Sequence, residues 1–192
     1  MTAPYEPRDA ADVSQLISDY PLAWLVSRDF HASPLPLLAE TGANGSVTAL
    51  FGHCGRRNPL VADFRADPRG LVLFTGPEAY VPTTLLSKPD WAPTWNYAVL
   101  RFTVEIEFVE DETKDAIERL VARMEDGAWS TASLGARYEK MLDQIIAFRA
   151  HVRSAEHRFK LGQDESAGGF AEIVAGHSDR TLAAWMEGQA KR

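Results

Sequence analysis

The run Gly52-His53-Cys54-Gly55-Arg56-Arg57-Asn58-Pro59 gathers the densest set of chemically capable side chains in the chain. Glycines let a backbone come close to a ligand. Arg56 and Arg57 offer guanidinium forks that match phosphate or carboxylate oxygens. Asn58-Pro59 opens a helical pattern, and free N–H groups at a helix start favour an anion. The run therefore suits a phosphate seat. More simply, it suits a solvated strand-to-helix turn whose arginines pair with surface carboxylates. The order GxxxxGK[ST] is absent, so it is no Walker loop. A second cluster joins Trp91, Trp95 and Tyr97 to Thr94 and Asn96. Flat aromatic surface beside amide and hydroxyl groups fits a heteroaromatic ligand, or an aromatic core beneath a loop. Lys88 stands just upstream, and Lys160 and Gln163 near the C-terminal end can add charge and hydrogen bonds.

Other chemistries draw less support. His53 and Cys54 invite a metal, but a transition metal wants three or four protein ligands. His31, His151, His157 and His177 show no paired spacing, and Cys54 is the single cysteine. Cys54 has no nucleophile signature and reads as a buried, inert thiol. GxSxG, HExxH and GxGxxG are absent. The net charge of −7 opposes non-specific nucleic-acid binding, and no basic recognition helix is evident. No apolar run approaches the roughly 20 residues of a membrane span, and no signal pattern opens the chain. The expectation is a soluble, cytoplasmic protein without direct contact to nucleic acid or membrane.

With 192 residues, 45% of them hydrophobic, the chain can bury a sizeable core without disulfides. Asp9 caps a short helix carrying Val13, Leu16 and Ile17, and Pro21 stops it. Strands are expected at 22–26, buried, and at 33–38, where Pro34 and Pro36 signal an edge or bulge. Asn44-Gly45 is a turn leading into a strand at 47–51. A helix follows over 58–66, then a strand at 71–75 ended by Gly76-Pro77, then an irregular loop over 82–94. Residues 96–109 alternate strictly, with Leu100, Phe102, Val104, Ile106 and Phe108 on the buried side. The period then lengthens. Ala116, Ile117, Leu120, Val121 and Met124 mark one helix, and Tyr138, Met141, Leu142, Ile145 and Ile146 a second. Arg137, Arg149 and Arg153 read as a solvated face. A last strand at 157–161, a flexible link at Gly168-Gly169 and a helical stretch over 181–186 complete the chain. Strands first and helices later argue an α+β or mainly β fold, an antiparallel sheet or small barrel with peripheral helices.

The segments PLPLL (34–38), GHCGRRNP (52–59), FTGPEAYV (74–81), SKPDWAPTWNY (87–97) and FKLGQ (159–163) resemble, in order and spacing, the PaiB-like family of FMN-binding negative transcriptional regulators. That family belongs to the flavin split-barrel superfamily of pyridoxamine-phosphate oxidase type. The resemblance implies an antiparallel split β-barrel with peripheral helices over residues 1–165, and a C-terminal tail with a short helix over 166–192. It implies a homodimer with FMN at the subunit interface. By analogy, Arg56, Arg57 and Asn58 hold the phosphate, while Leu35, Pro36, Leu37, Gly52 and His53 run beside the isoalloxazine. Ser87, Lys88, Thr94, Trp95 and Asn96 complete the site, from the partner chain in one arrangement, with Lys160 and Gln163 added from the C-terminal segment. Two departures stand out. Thr83-Thr84-Leu85-Leu86 replaces a Ser-Trp-Tyr-like stretch, and Gly162-Gln163-Asp164 replaces a Ser-Gln-Asn-like one, placing an acid near the site. The implied function is an FMN-dependent oxidoreductase acting on a small molecule. A non-catalytic flavin-binding regulator is the alternative. A haem-handling split barrel, with His53 or a tail histidine as axial ligand, is a third.

Overall fold

The computed structural model describes residues 5–190. Six strands close into one antiparallel barrel: β1 (Leu22–Ser27), β2 (Ala32–Thr41), β3 (Val47–Gly55), β4 (Arg69–Val81), β5 (Thr94–Phe108) and β6 (Ile145–Lys160). Their order around the barrel is β1-β2-β3-β6-β5-β4. Helices α1 (Ala10–Asp19), α2 (Pro59–Ala66), α3 (Thr113–Glu125), α4 (Ala136–Leu142), α5 (Ala167–Gly176) and α6 (Arg180–Ala190) are peripheral. The fold is thus α+β, as the strand-then-helix order suggested.

Local chemistry explains several elements. Asp9 accepts from the N–H groups of Ala11 and Asp12 and caps α1, which buries Val13, Leu16 and Ile17. Asn58 caps α2 by accepting from the Leu60 N–H at 3.0 Å. Along β5, Ala98, Leu100, Phe102, Val104 and Ile106 are buried and alternate with wetter residues. They share one core with α1, α2, α5 and α6, to which the last two contribute Ile173, Val174, Leu182, Ala183 and Met186. A second small core lies outside the barrel beneath α3: Phe51, Val109, Ala116 and Ala147. Arg119 and Arg149 each place a guanidinium carbon 4.7 Å from the Phe51 ring centroid. Arg149 also bonds Glu112 at 2.6 Å and Glu40 at 2.9 Å, so it is not part of a solvated face.

The structure corrects five local expectations. The residues Ile145 and Ile146 begin β6 rather than ending a helix, and β6 runs through His157 without a break. Its period is hidden because both faces are covered near its start: Ile146 and Phe148 enter the main core while Ala147 enters the outer one. Strand β4 continues past Gly76-Pro77, which form a bulge opposite Ala98. Proline has no N–H for the ladder, and a bulge tolerates that loss. Strand β1 is only half buried, with Leu22 61% and Trp24 51% exposed. Gly168 and Gly169 lie in the first turn of α5, capped by Ser166, not in a flexible link. The tail holds two helices rather than one short one.

Pro34 and Pro36 occupy a local edge inside the closed barrel. Leu37 donates its N–H to the Pro21 carbonyl at 2.9 Å, so alternation turns both proline nitrogens away from β1. On that other side β3 pairs with β2 only from Leu37 onward. Gly52 then lets β2 and β3 close. A Cβ there would stand 2.5 Å from Leu37 Cδ2 and 3.0 Å from the Pro36 carbonyl oxygen. Since Leu37 is fully buried, Gly52→Ala is expected to lower stability by about 1–3 kcal/mol. A urea midpoint equal to wild type would show that Leu37 shifts at no cost.

Candidate functional site

The expected site residues form two groups. The first lies where β2, β3 and the start of α2 meet. Leu37 faces Gly52 across the β2–β3 ladder, with Leu35 and Pro36 half-buried beside it. His53 is largely buried, and its Nδ1 has no hydrogen-bond partner. Burial pulls its pKa below the ordinary histidine value. Cys54 points inward, and burial pushes its thiol up to about 11, consistent with an inert group. Arg56 pairs with Glu110 at 2.6 Å, and Arg65 shares that carboxylate at 3.2 Å. Arg57 is exposed and makes no ion pair among the described residues. The start of α2 offers an anion little. Pro59 has no N–H, Leu60 donates to Asn58 Oδ1, and Val61 donates to the Asn58 carbonyl. That part of the anion-seat expectation is corrected, because the cap residue consumes the donors. Asn58 also donates to Ser33 Oγ at 2.9 Å.

The second group lies at the far ends of β4, β5 and β6. Tyr80 and Trp95 face each other across the β4–β5 ladder, with ring centroids 5.9 Å apart, and both are 49% exposed. Trp95 Nε1 donates to Glu78 at 2.6 Å. Lys160 Nζ donates to Thr94 Oγ1 at 2.6 Å and to the Trp95 carbonyl at 3.0 Å. A tilted, half-exposed aromatic pair with a cation at its margin suits an anionic heteroaromatic ligand. Trp91 is tied to Glu165 at 3.1 Å. Ser87 donates its N–H and Oγ–H to Glu172, and Lys88 lies 3.7 Å from Asp90. Asn96 is buried, with Nδ2 on Met186 Sδ at 3.5 Å and Oδ1 unpartnered. Gln163 braces its own turn, accepting from Leu161 N–H and donating to the Phe159 carbonyl. Asp164 accepts from Tyr5 Oη at 3.0 Å. His177 has both ring nitrogens engaged, by the Tyr80 carbonyl and the Asp179 N–H. It is therefore not a free axial ligand.

Strand β6 measures the separation of the two groups. Gly52 is registered with Phe148, and Tyr97 with Lys160, twelve residues further along. At about 3.3 Å per residue that is roughly 40 Å of strand. Round the other side of the barrel the path is shorter: Pro34 is registered with Trp24, Trp24 with Leu73 and Leu73 with Arg101, so the β2 part of the first group lies three strands from β5. No group of three or more His, Cys, Asp or Glu side chains among the described residues could hold a metal ion. No described helix is long and apolar enough to cross a membrane.

Comparison with known proteins bears on this arrangement. Residues 1–154 match the model of a family described as a putative FMN-binding domain. The chain belongs to that family. Over 130 residues it is 24% identical to protease synthase and sporulation protein PAI 2 of Bacillus subtilis, covering 65% of this chain and 62% of that protein. The chain therefore spans less than two thirds of that relative's length. Among solved structures, it resembles an FAD and heme binding protein from Mycobacterium smegmatis, with a TM-score of 0.62 at 20% identity over 86% of this chain and 77% of that one. It also resembles the flavocytochrome Anf3 from Azotobacter vinelandii, with a TM-score of 0.62 at 12% identity over 80% and 68%. At such identities these likenesses show the shared barrel fold.

As an FMN-binding-domain protein, the chain carries features that sequence reading passed over. Tyr80 was hidden because the strand was expected to stop at Gly76-Pro77, which left no register opposite Trp95. Glu110 and Glu172 lie 54 and 85 positions from the residues they engage, and no local pattern connects them. Helices α5 and α6 lie beyond the matched segment.

Burial also gives the protein a pH signature. His157, like His53, is held below its ordinary pKa by burial, and its Nδ1 is unpartnered. The unfolded chain gains protons on both rings near pH 6.5, where the folded chain does not. Their contribution to stability is thus present above pH 6.5 and is lost as the pH falls towards the folded pKa values. Urea midpoints from pH 8 to 5.5 are expected to fall less steeply for H53Q/H157Q than for wild type. Parallel slopes would contradict this.

Proposed function

We propose that the chain binds FMN as a homodimer and serves as a cytoplasmic flavin-binding module of the PaiB-like regulatory kind. The observation that carries the reading is the half-exposed Tyr80–Trp95 pair with Lys160 at its margin. Few soluble surfaces leave two adjoining aromatics half open without a partner or ligand. The free Arg57 guanidinium supplies the cation a phosphate needs at the other group. Arg56, shared with Glu110, fits that role only by giving up its ion pair. The residues present therefore fit a flavin with a phosphate tail. Bound FMN would supply electron-transfer chemistry. The chain would hold the phosphate with Arg57 and bear the ring on aromatic and strand surfaces.

Exposed apolar surface supports the dimer. Leu22 and Trp24 supply exposed apolar surface on β1 beside Pro34 and Pro36. The Bacillus relative's name refers to protease synthase and sporulation, a cellular process rather than a reaction, and this supports the regulatory reading. The second reading is an FMN-dependent oxidoreductase acting on a small molecule. Its supporting observation is His53, whose unpartnered Nδ1 could move a proton at a bound ligand. Flavin absorbance of the purified protein, followed by steady-state NAD(P)H oxidation, separates the two. Turnover would favour the enzyme.

Two outcomes are expected. Arg57→Ala removes charge-assisted bonds of roughly 1.5–3 kcal/mol and should weaken FMN about tenfold or more, with riboflavin little changed. Arg56→Ala should do less to FMN. Equal losses for FMN and riboflavin would remove Arg57 from the phosphate site. In sedimentation at micromolar concentration, wild type should run at twice the chain mass, and L22D/W24D should run as a monomer that binds FMN poorly. A wild-type protein at one chain mass would sink the dimer.

A further inference from the structure

The segment between β4 and β5 carries Ser87 and Lys88, and it is sewn to α5 by a stripe of that helix. Gly169, Glu172 and Gly176 stand at i, i+3 and i+7, so they share one face. A Cβ on Gly169 would lie 3.1 Å from Leu86 Cδ2, and one on Gly176 would lie 3.0 Å from Leu85 Cδ2. The two glycines thus leave room for the leucines to sit against the helix. Between them, Glu172 takes the Ser87 N–H at 2.8 Å and the Ser87 Oγ–H at 2.6 Å, one on each carboxylate oxygen. A few residues on, Trp91 Nε1 donates to both oxygens of Glu165 at 3.1 Å. The segment is fixed at four successive points, and both donors of Ser87 are used.

Lys88 is left differently. Its side chain is 63% exposed, and its only carboxylate neighbour among the described residues is Asp90 at 3.7 Å. Helix α5 itself is not a cover that opens, because Ile173 and Val174 are buried in the main core. Whatever α5 does for the segment, it does in place.

We propose that Glu172 is a positioning residue that consumes both donors of Ser87 and thereby presents Lys88 as the segment's cation to an anionic ligand. The inference rests on the flavin reading above and refines it. Ser87 is an anchor rather than a flavin contact, and Lys88 meets the phosphate-bearing ligand. The bonds from Ser87 also hold the Glu172 carboxyl below the usual carboxylate range, so the anchor persists through neutral pH. The assignment reaches a helix outside the matched family segment.

The test is a double-mutant cycle on the full chain, with FMN and riboflavin affinities read by flavin fluorescence. K88A is expected to weaken FMN about tenfold and riboflavin less than about twofold. E172A should reproduce most of that loss, and K88A/E172A should add little to either. E172D should recover part of it. S87A should resemble E172A and add nothing in the E172A background. Hydrogen exchange of residues 83–91 should accelerate in E172A while the exchange of β5 stays at wild-type rates. Additive losses in the cycle would overturn the proposal. So would tighter FMN binding by E172A, which would make Glu172 a competing anion on a Ser87 ligand seat. So would unchanged exchange at Ser87. A wild-type chain that binds neither flavin overturns the flavin reading and the role of Lys88 with it, and exchange alone then decides the anchor.

Discussion

The double pairing of β6 governs this molecule. Residues Ile145–His151 pair with β3 and Phe148–Lys160 with β5, so one strand of sixteen residues closes the barrel. Closure removes the exposed edges that an open sheet of these strands would carry. It also sets the geometry of function. The Gly52–Asn58 turn stands at one end of β6, and the Lys160–Trp95 corner at the other. Both ends are rigid because each is part of the same ladder.

Small residues set how closely the layers approach. Gly52 admits Leu37, Gly76 admits Leu16, and Gly70 admits Phe64. In each case the missing side chain is filled by the protein's own core. The glycines of the Gly52–Gly55 run therefore divide. Gly52 serves packing, whereas a Cβ on Gly55 would meet nothing nearer than 4.0 Å. A glycine beside basic residues is not by itself evidence of a ligand cradle, and Arg57 is the more informative member of that run.

Charge is distributed by the same logic. On the outer face of β5 and β6, Arg101–Glu156, Glu105–Arg153 and Glu107–His151 pair across the strands. Exposed pairs of this kind contribute little stability each. They do neutralise most of that face and leave few cations unspent. Arg57, like Arg137 and Lys140, has no ion-pair partner among the described residues, and Lys88 has only a distant one. Arg149 shows the opposite case, where a half-buried guanidinium is held by two carboxylates and roofs Phe51.

What the sequence determined by itself was local. Asp9 capped the helix its position announced, Pro59 opened the next, β5 followed its alternation, and Cys54 was buried as its surroundings suggested. The ordered motifs also pointed to the barrel family. These signals are short-range: a cap reaches two or three residues, and an alternating strand declares its own inner face. The tertiary structure alone decided the rest. It made β6 a strand, because cover on both faces erased the alternation that would have revealed it. It put Tyr80 opposite Trp95 by carrying β4 through a proline bulge. It spent Arg56 on Glu110, Asn96 on the interior and Ser87 on Glu172. A side chain's type fixes which partners it can accept. Which of them it meets depends on long-range packing, and that choice separates a free cation from a surface ion pair.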